Sequence, residues 1–194
     1  MTYQQASKIA VDTCYKLQPY CKKLNIAGSV RRKVQIPGDI EIVCVAKERS
    51  TYDLFGQKTG SIKSVSFIHT VSQLGLIEKG SPMGKYMRLK VEDGIFVDLF
   101  MPSEEDYYRQ YAIRTGSASY AHKVIANAWT KLGWCGSDVG LRRMSDCVGT
   151  KTPDGKTNWK CINQNGLKPP VWKSEEDFFN WLKLEYQKPE LRNI

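Results

Sequence analysis

No stretch of the 194 residues is long or apolar enough to span a membrane, and the N-terminus lacks the hydrophobic core of a signal peptide. Both absences point to an intracellular protein. The six cysteines, at positions 14, 21, 44, 135, 147 and 161, form no Cys-x-x-Cys pair, and neither His69 nor His122 lies at zinc-finger spacing from them. That leaves reduced thiols scattered through the core, or a zinc site built from Cys135, Cys147 and Cys161. A P-loop is missing as well. Gly155-Lys156-Thr157 has the right ending, but Thr150 stands where the first glycine belongs. Acid is the minority charge: 20 Asp and Glu face 29 Lys and Arg, for a net charge of +9. The excess is spread over both halves, 16 basic against 12 acidic groups in residues 1–110 and 13 against 8 in residues 111–194, so no separate basic tail exists. A broadly cationic surface suits a nucleic-acid backbone track, although such surfaces also occur on proteins that bind none.

The most informative segment runs from Gly28-Ser29-Val30-Arg31-Arg32 through Pro37 to Gly38-Asp39-Ile40-Glu41-Ile42-Val43. Strand side chains alternate faces, so Asp39 and Glu41 project to one side while Ile40, Ile42 and Cys44 project to the other. Taken alone, two acids at this spacing also fit a strand edge with solvated carboxylates. A Gly-Ser turn ahead of them, and a third acid at Asp98 within the apolar run Gly94-Ile95-Phe96-Val97-Asp98-Leu99-Phe100-Met101-Pro102, favour metal-dependent phosphoryl transfer. That chemistry uses two divalent cations about 3.5 to 4 Å apart, and hard, hydrated Mg²⁺ takes carboxylate oxygens.

These residues resemble the family X DNA polymerases, the polymerase beta-like nucleotidyltransferases. The resemblance spans nearly the whole chain: the Gly-Ser-x-Arg-Arg turn, the Gly-Asp-x-Glu strand, the third acid before Pro102, the Thr115-Gly116-Ser117 turn, and the run from Ser174-Glu175-Glu176-Asp177-Phe178-Phe179 through Tyr186, Pro189 and Arg192. It implies an α+β fold, with a nucleotidyltransferase palm of small mixed sheet and helices in residues 1–106 and a small α/β thumb in residues 107–194. It also implies a template-directed DNA polymerase that extends a primer 3'-hydroxyl from a dNTP by two-metal catalysis. Asp39, Glu41 and Asp98 would be the catalytic and metal-binding carboxylates for two Mg²⁺ or Mn²⁺ ions. Gly28, Ser29, Arg32, Gly38, Arg114, Thr115 and Gly116 would contact the nucleotide, with Arg32 forking onto phosphate oxygens and Arg31 serving as a structural ion-pair partner. Lys85, Tyr86, Arg88 and Lys123 would contact DNA, the first three within a loop, Lys79 to Arg88, that reads equally as a plain hairpin turn.

Departures from the family pattern are specific. Glu41 stands for the commoner aspartate, Phe96 for an arginine two residues before the third acid, Ile113-Arg114 for a Tyr-Phe pair beneath the incoming sugar, and Ala118 and Ala121 for polar residues at the nascent pair. Weak discrimination against ribonucleotides is expected. The family's amino-terminal lyase domain has no counterpart in this sequence, so a monomeric, minimal palm-thumb enzyme of viral type is expected, acting on primer-template or gapped DNA by short gap-filling synthesis. Untemplated addition to RNA, tRNA or another terminus is the nearest alternative, and a non-catalytic nucleic-acid-binding module the next.

Apolar periodicity predicts a helix over residues 4–18 ended by Pro19, a short strand at 24–27, the metal strand at 40–46, a loop or hairpin at 47–64, and a helix over 65–74 closed by Gly75. A hairpin at 87–91, the turn Glu92-Asp93-Gly94 and a strand at 95–101 complete the palm. Ser103 and Ser174, each followed by Glu-Glu-Asp, read as helix N-caps. Between them lie a helix at about 120–132, a Gly-rich basic hairpin region at 133–167 and the Pro169-Pro170 stop. Phe178, Trp181, Leu182 and Tyr186 are expected on one buried face of the last helix.

Overall fold

The computed structural model describes residues 1–153 and 155–194. Helix α1 (Tyr3–Leu17) starts at Thr2, whose hydroxyl accepts from Gln5 N–H while the Gln5 side chain accepts from Thr2 N–H. That cap sets the start one residue before the apolar pattern does. Ala6, Ala10, Thr13 and Leu17 face inward at helical spacing, and a single 3₁₀ turn with Pro19 leads into strand β1 (Cys21–Ile26). β1 begins three residues ahead of its expected place.

The first sheet is five-stranded, in the order β1-β2-β7-β6-β5, with β2 (Ile40–Ala46), β5 (Leu76–Gly80), β6 (Tyr86–Lys90) and β7 (Phe96–Phe100). Only β2 and β7 run parallel; every other pairing is antiparallel. One face is closed by α1 and by α3 (Val65–Gln73), whose N-cap Ser64 accepts from Phe67 N–H. Ile40, Ile42, Cys44, Leu89, Val97 and Leu99 fill that side and are fully buried. β5 was not anticipated from the sequence. It forms because Gly75 lets the chain cross close under β6, where an added Cβ would lie 2.4 Å from the Lys90 carbonyl oxygen. Of the two readings of residues 47–64, the hairpin holds, as β3 (Glu48–Tyr52) and β4 (Lys58–Lys63).

The second part of the chain begins with α4 (Tyr107–Thr115), followed by α5 (Ala118–Tyr120), which runs through a π-helical segment (Ala121–Ala126) into α6 (Asn127–Lys131). A four-stranded sheet, ordered β10-β11-β8-β9, follows from β8 (Trp134–Ser137), β9 (Gly140–Arg143), β10 (Cys147–Lys151) and β11 (Thr157–Cys161), and α7 (Glu175–Trp181) closes the core. Trp129, Trp134, Trp172, Phe178 and Phe179 are buried together there. Ser174 caps α7 through Asp177 N–H, whereas Ser103 makes no side-chain cap: Glu104–Asp106 forms a 3₁₀ turn and Asp106 forks onto Arg109.

The expected single face of the last helix is broken. α7 stops at Trp181 because Lys183 takes a φ of 59°, the left-handed conformation, and Leu184 N–H turns back to the Phe179 carbonyl. Tyr186 therefore lies outside the helix, yet it still packs on Phe179 with ring centroids 5.5 Å apart. All six cysteines are free: Cys21 on β1 and Cys44 on β2 are buried in the core of the five-stranded sheet, with Cys14 packed against that core, and Cys135, Cys147 and Cys161 cluster beside Met144 and Trp159. No three His, Cys, Asp or Glu side chains among the described residues are gathered closely enough to hold one ion.

Candidate functional site

The parallel register between β2 and β7 sets Glu41 directly opposite Asp98, and the antiparallel register between β7 and β6 sets Asp98 opposite Arg88. Glu41, Asp98 and Arg88 therefore share the face of the sheet that α1 and α3 leave free. Asp39, two residues ahead of Glu41, joins them through Arg88 Nη2, 3.1 Å from Asp39 Oδ2. Arg88 also grips Asp98 from Nε at 2.7 Å and Nη2 at 2.6 Å, and the Tyr86 hydroxyl donates to Asp98 Oδ1 at 3.0 Å.

Charge is crowded here. Burial and the neighbouring Asp39 push Glu41 up to about 7, with Arg114 and Arg32 opposing. Burial, then Asp98, raises the Asp39 carboxyl, and Arg88 opposes. The hydrogen bond to Asp98 raises Arg88 in turn.

The Gly-Ser segment is a single helical turn, α2 (Gly28–Arg31), rather than an open turn. Gly28 is required there: its φ is +61°, and an added Cβ would lie 2.2 Å from Glu41 Oε2. Ala27 N–H donates to the Glu41 carbonyl at 2.8 Å, so the residue that precedes α2 is tied to β2 by its backbone. The Ser29 hydroxyl beside it is buried and has no hydrogen-bond partner in the protein.

The two arginines that follow divide their work. Arg31 donates to both oxygens of Glu175 at 3.0 and 2.8 Å and to the Thr115 hydroxyl at 2.6 Å, and it lies 3.8 Å over the Tyr111 ring. Arg32 donates to the Thr115 carbonyl at 2.7 Å and to Asn193 at 2.6 Å. Thr115, at the end of α4, is thus docked on the end of α2. Arg114 stacks 3.9 Å over the Phe100 ring, and its Nε is buried without a partner. Burial lowers its pKa, while Glu41 pulls the other way.

A cavity of about 750 Å³ lies between the two parts of the chain. The first part contributes Glu41, Asp98 and Lys85, and the second contributes Arg114, Arg142 and Lys168. Lys85 Nζ reaches across to the Asp138 carbonyl at 3.4 Å. Of the other residues expected to contact DNA, Tyr86 lines the cavity, and both Tyr86 and Arg88 donate to Asp98, because β6 places them over it. Lys123 is exposed on the π-helical segment, outside the cavity lining. Gly38 is exposed, and an added Cβ there would touch nothing. Sequence reasoning missed Arg142 and Lys168, which sit in or beside the basic hairpin region. Their only signal was charge; β9 carries Arg142 into the cavity lining, and Lys168 reaches it from the segment between β11 and α7.

No helix among the described residues is long and apolar enough to cross a membrane. No curated protein matches the chain. Residues 111–193 match the family model described as DNA polymerase beta thumb, and this match supports a relationship to the polymerase beta-like family X DNA polymerases.

Proposed function

We propose that the chain is a template-directed DNA polymerase that adds a deoxynucleotide to a primer 3'-hydroxyl in short gaps. The observation that carries this reading is the pairing of Glu41 with Asp98 across parallel strands, with Asp39 on the same face and the unpartnered Ser29 hydroxyl on the adjoining α2. The donor set is hard oxygen only, which fits Mg²⁺ or Mn²⁺ at Asp39, Glu41 and Asp98. Such ions, when bound, supply hydroxyl activation and charge neutralisation on the phosphates.

The chain's own groups do the rest. The Ser29 hydroxyl and the N–H groups at the start of α2 would donate to triphosphate oxygens, since the first N–H groups of a helical turn lack intrahelical acceptors. Arg32 contributes positive charge beside Glu41 while its guanidinium anchors Thr115. Arg114, held flat by Phe100 and with a free Nε, borders the nucleotide space where an uncharged aromatic would exclude a sugar hydroxyl by bulk. A guanidinium can instead donate to that hydroxyl, which supports weak sugar discrimination. Lys85, Arg142 and Lys168 line the route for the nucleic-acid backbone.

The test is extension of a primer on a duplex with a one-nucleotide gap, with each dNTP and rNTP offered singly and Mg²⁺ or Mn²⁺ present, for the wild type and Asp98→Ala. Addition of only the template-matched nucleotide, abolished in Asp98→Ala, is the expected result. Addition regardless of the template base would make the chain a terminal transferase. An inert wild type on every nucleic acid would overturn the polymerase reading.

A further inference from the structure

Two of the three carboxylates already share a cation, and it belongs to the protein. Arg88 Nη2 stands 2.6 Å from Asp98 Oδ2 and 3.1 Å from Asp39 Oδ2, and Arg88 Nε holds the other oxygen of Asp98 at 2.7 Å. Its guanidinium carbon lies 5.2 Å from the centroid of the Phe96 ring. Phe96 and Asp98 are two apart on β7 and so face the same way. A cation at residue 96 would reach Asp98 along its own strand; here residue 96 is a ring that supports a cation sent from the neighbouring strand. Glu41 takes no bond from Arg88, and no three potential ligands among the described residues are close enough to hold one ion. The carboxylates share a face but have not converged.

Resting on the reading of this face as a divalent-metal site, we propose that Arg88 is a displaceable internal counter-ion. It neutralises Asp39 and Asp98 in the metal-free protein and must release Asp39 before the acids can close on a divalent cation. Arg88 is a positioning residue, since it acts through the two acids. The contact that opens is the one to Asp39, the longest of its three carboxylate contacts, and Asp39 is the more exposed partner, at 38 % against 7 % for Asp98. The fork onto Asp98 can persist, because each carboxylate oxygen has a second lone pair. The arrangement stabilises the empty site, and the same contact competes with an incoming ion for Asp39 Oδ2.

The experiment is Mn²⁺ binding without nucleotide, followed by the loss of the free-ion signal in electron paramagnetic resonance. Wild type, Arg88→Met, Arg88→Lys and Asp98→Asn are compared, with thermal melting of each metal-free protein. Arg88→Met should bind Mn²⁺ about tenfold tighter, a single charged hydrogen bond being of that size. It should also melt lower without metal and recover the loss at saturating Mn²⁺. Arg88→Lys, which keeps the charge and loses the fork, should fall between. Equal or weaker binding by Arg88→Met, with wild type still binding and Asp98→Asn impaired, overturns the counter-ion role and leaves the metal reading standing. If no variant binds Mn²⁺, or Asp98→Asn binds as well as wild type, both fall. Should Arg88→Met fail to fold, Arg88→Lys decides: tighter binding than wild type supports the proposal, and equal or weaker binding overturns it.

Discussion

At the scale of single residues, Gly28 is the position where the site tolerates no side chain. Alanine there must adopt a left-handed φ, at a cost of about 1–2 kcal/mol, and its Cβ would displace Glu41 Oε2, now 2.2 Å away. Gly28→Ala is therefore expected to lower primer extension by about 100-fold, the loss that a 1 Å misplacement brings, while thermal melting shows that the fold survives. Glu41 carries a second prediction. Its folded pKa, about 7, is above the ordinary glutamate value of 4.5. The folded state then binds more protons than the unfolded chain between those values, so this group's stabilisation is present below about pH 4.5 and is lost as pH rises through 7. In chelator, melting temperature should fall over that interval, and Glu41→Gln should flatten the fall. A rise with pH that is unchanged in Glu41→Gln would refute the assignment.

At the scale of elements, three segments meet on one buried carboxylate. Glu175 on α7 accepts from Arg31 on α2 and from Arg192 in the C-terminal tail at 2.7 Å, and the Tyr186 hydroxyl donates to it at 3.3 Å. Burial works against its charge, but the hydrogen bonds from Arg31 and Arg192 outweigh it and hold Glu175 below the usual range. Its contribution is thus present above pH 4.5 and is lost as pH falls through the lower folded value. Arg192 is fully buried, so removing its anion leaves an uncompensated charge. Glu175→Gln is expected to cost about 3–5 kcal/mol in urea unfolding. Because Arg31 also holds Thr115, the same variant should raise KM for the nucleotide. A loss under about 1 kcal/mol would show that water reaches these groups.

At the scale of the whole molecule, the +9 charge is distributed over both parts of the chain, and the cavity between them carries Lys85, Arg142 and Lys168. Affinity for gapped duplex should fall steeply between about 50 and 200 mM salt, by three orders of magnitude if six phosphates are neutralised. Arg142→Ala should reduce the slope by about one unit, which a titration by fluorescence anisotropy would read. An unchanged affinity across that range would mean that phosphate contacts do not dominate.

The amino-acid sequence by itself determined β1, β2, β6 and β7 to within a few residues, the helix cap at Ser174, the acids at 39, 41 and 98, and the glycine ahead of Glu41. These follow from alternation, capping and conformational preference, which act over a few residues. It also separated the two arginines correctly in one respect, since Arg31 is the structural ion-pair partner. Only the tertiary structure decided that β2 and β7 run parallel with Glu41 against Asp98, that Arg88 rather than a residue of β7 neutralises Asp98, that Thr115 is seated on α2, and that α7 ends before Tyr186. Strand order and register are pairings between segments as much as 57 residues apart, from Glu41 to Asp98, and no local periodicity encodes them. They are chosen by the burial of the whole apolar face against α1 and α3 and by the charges left on the other side.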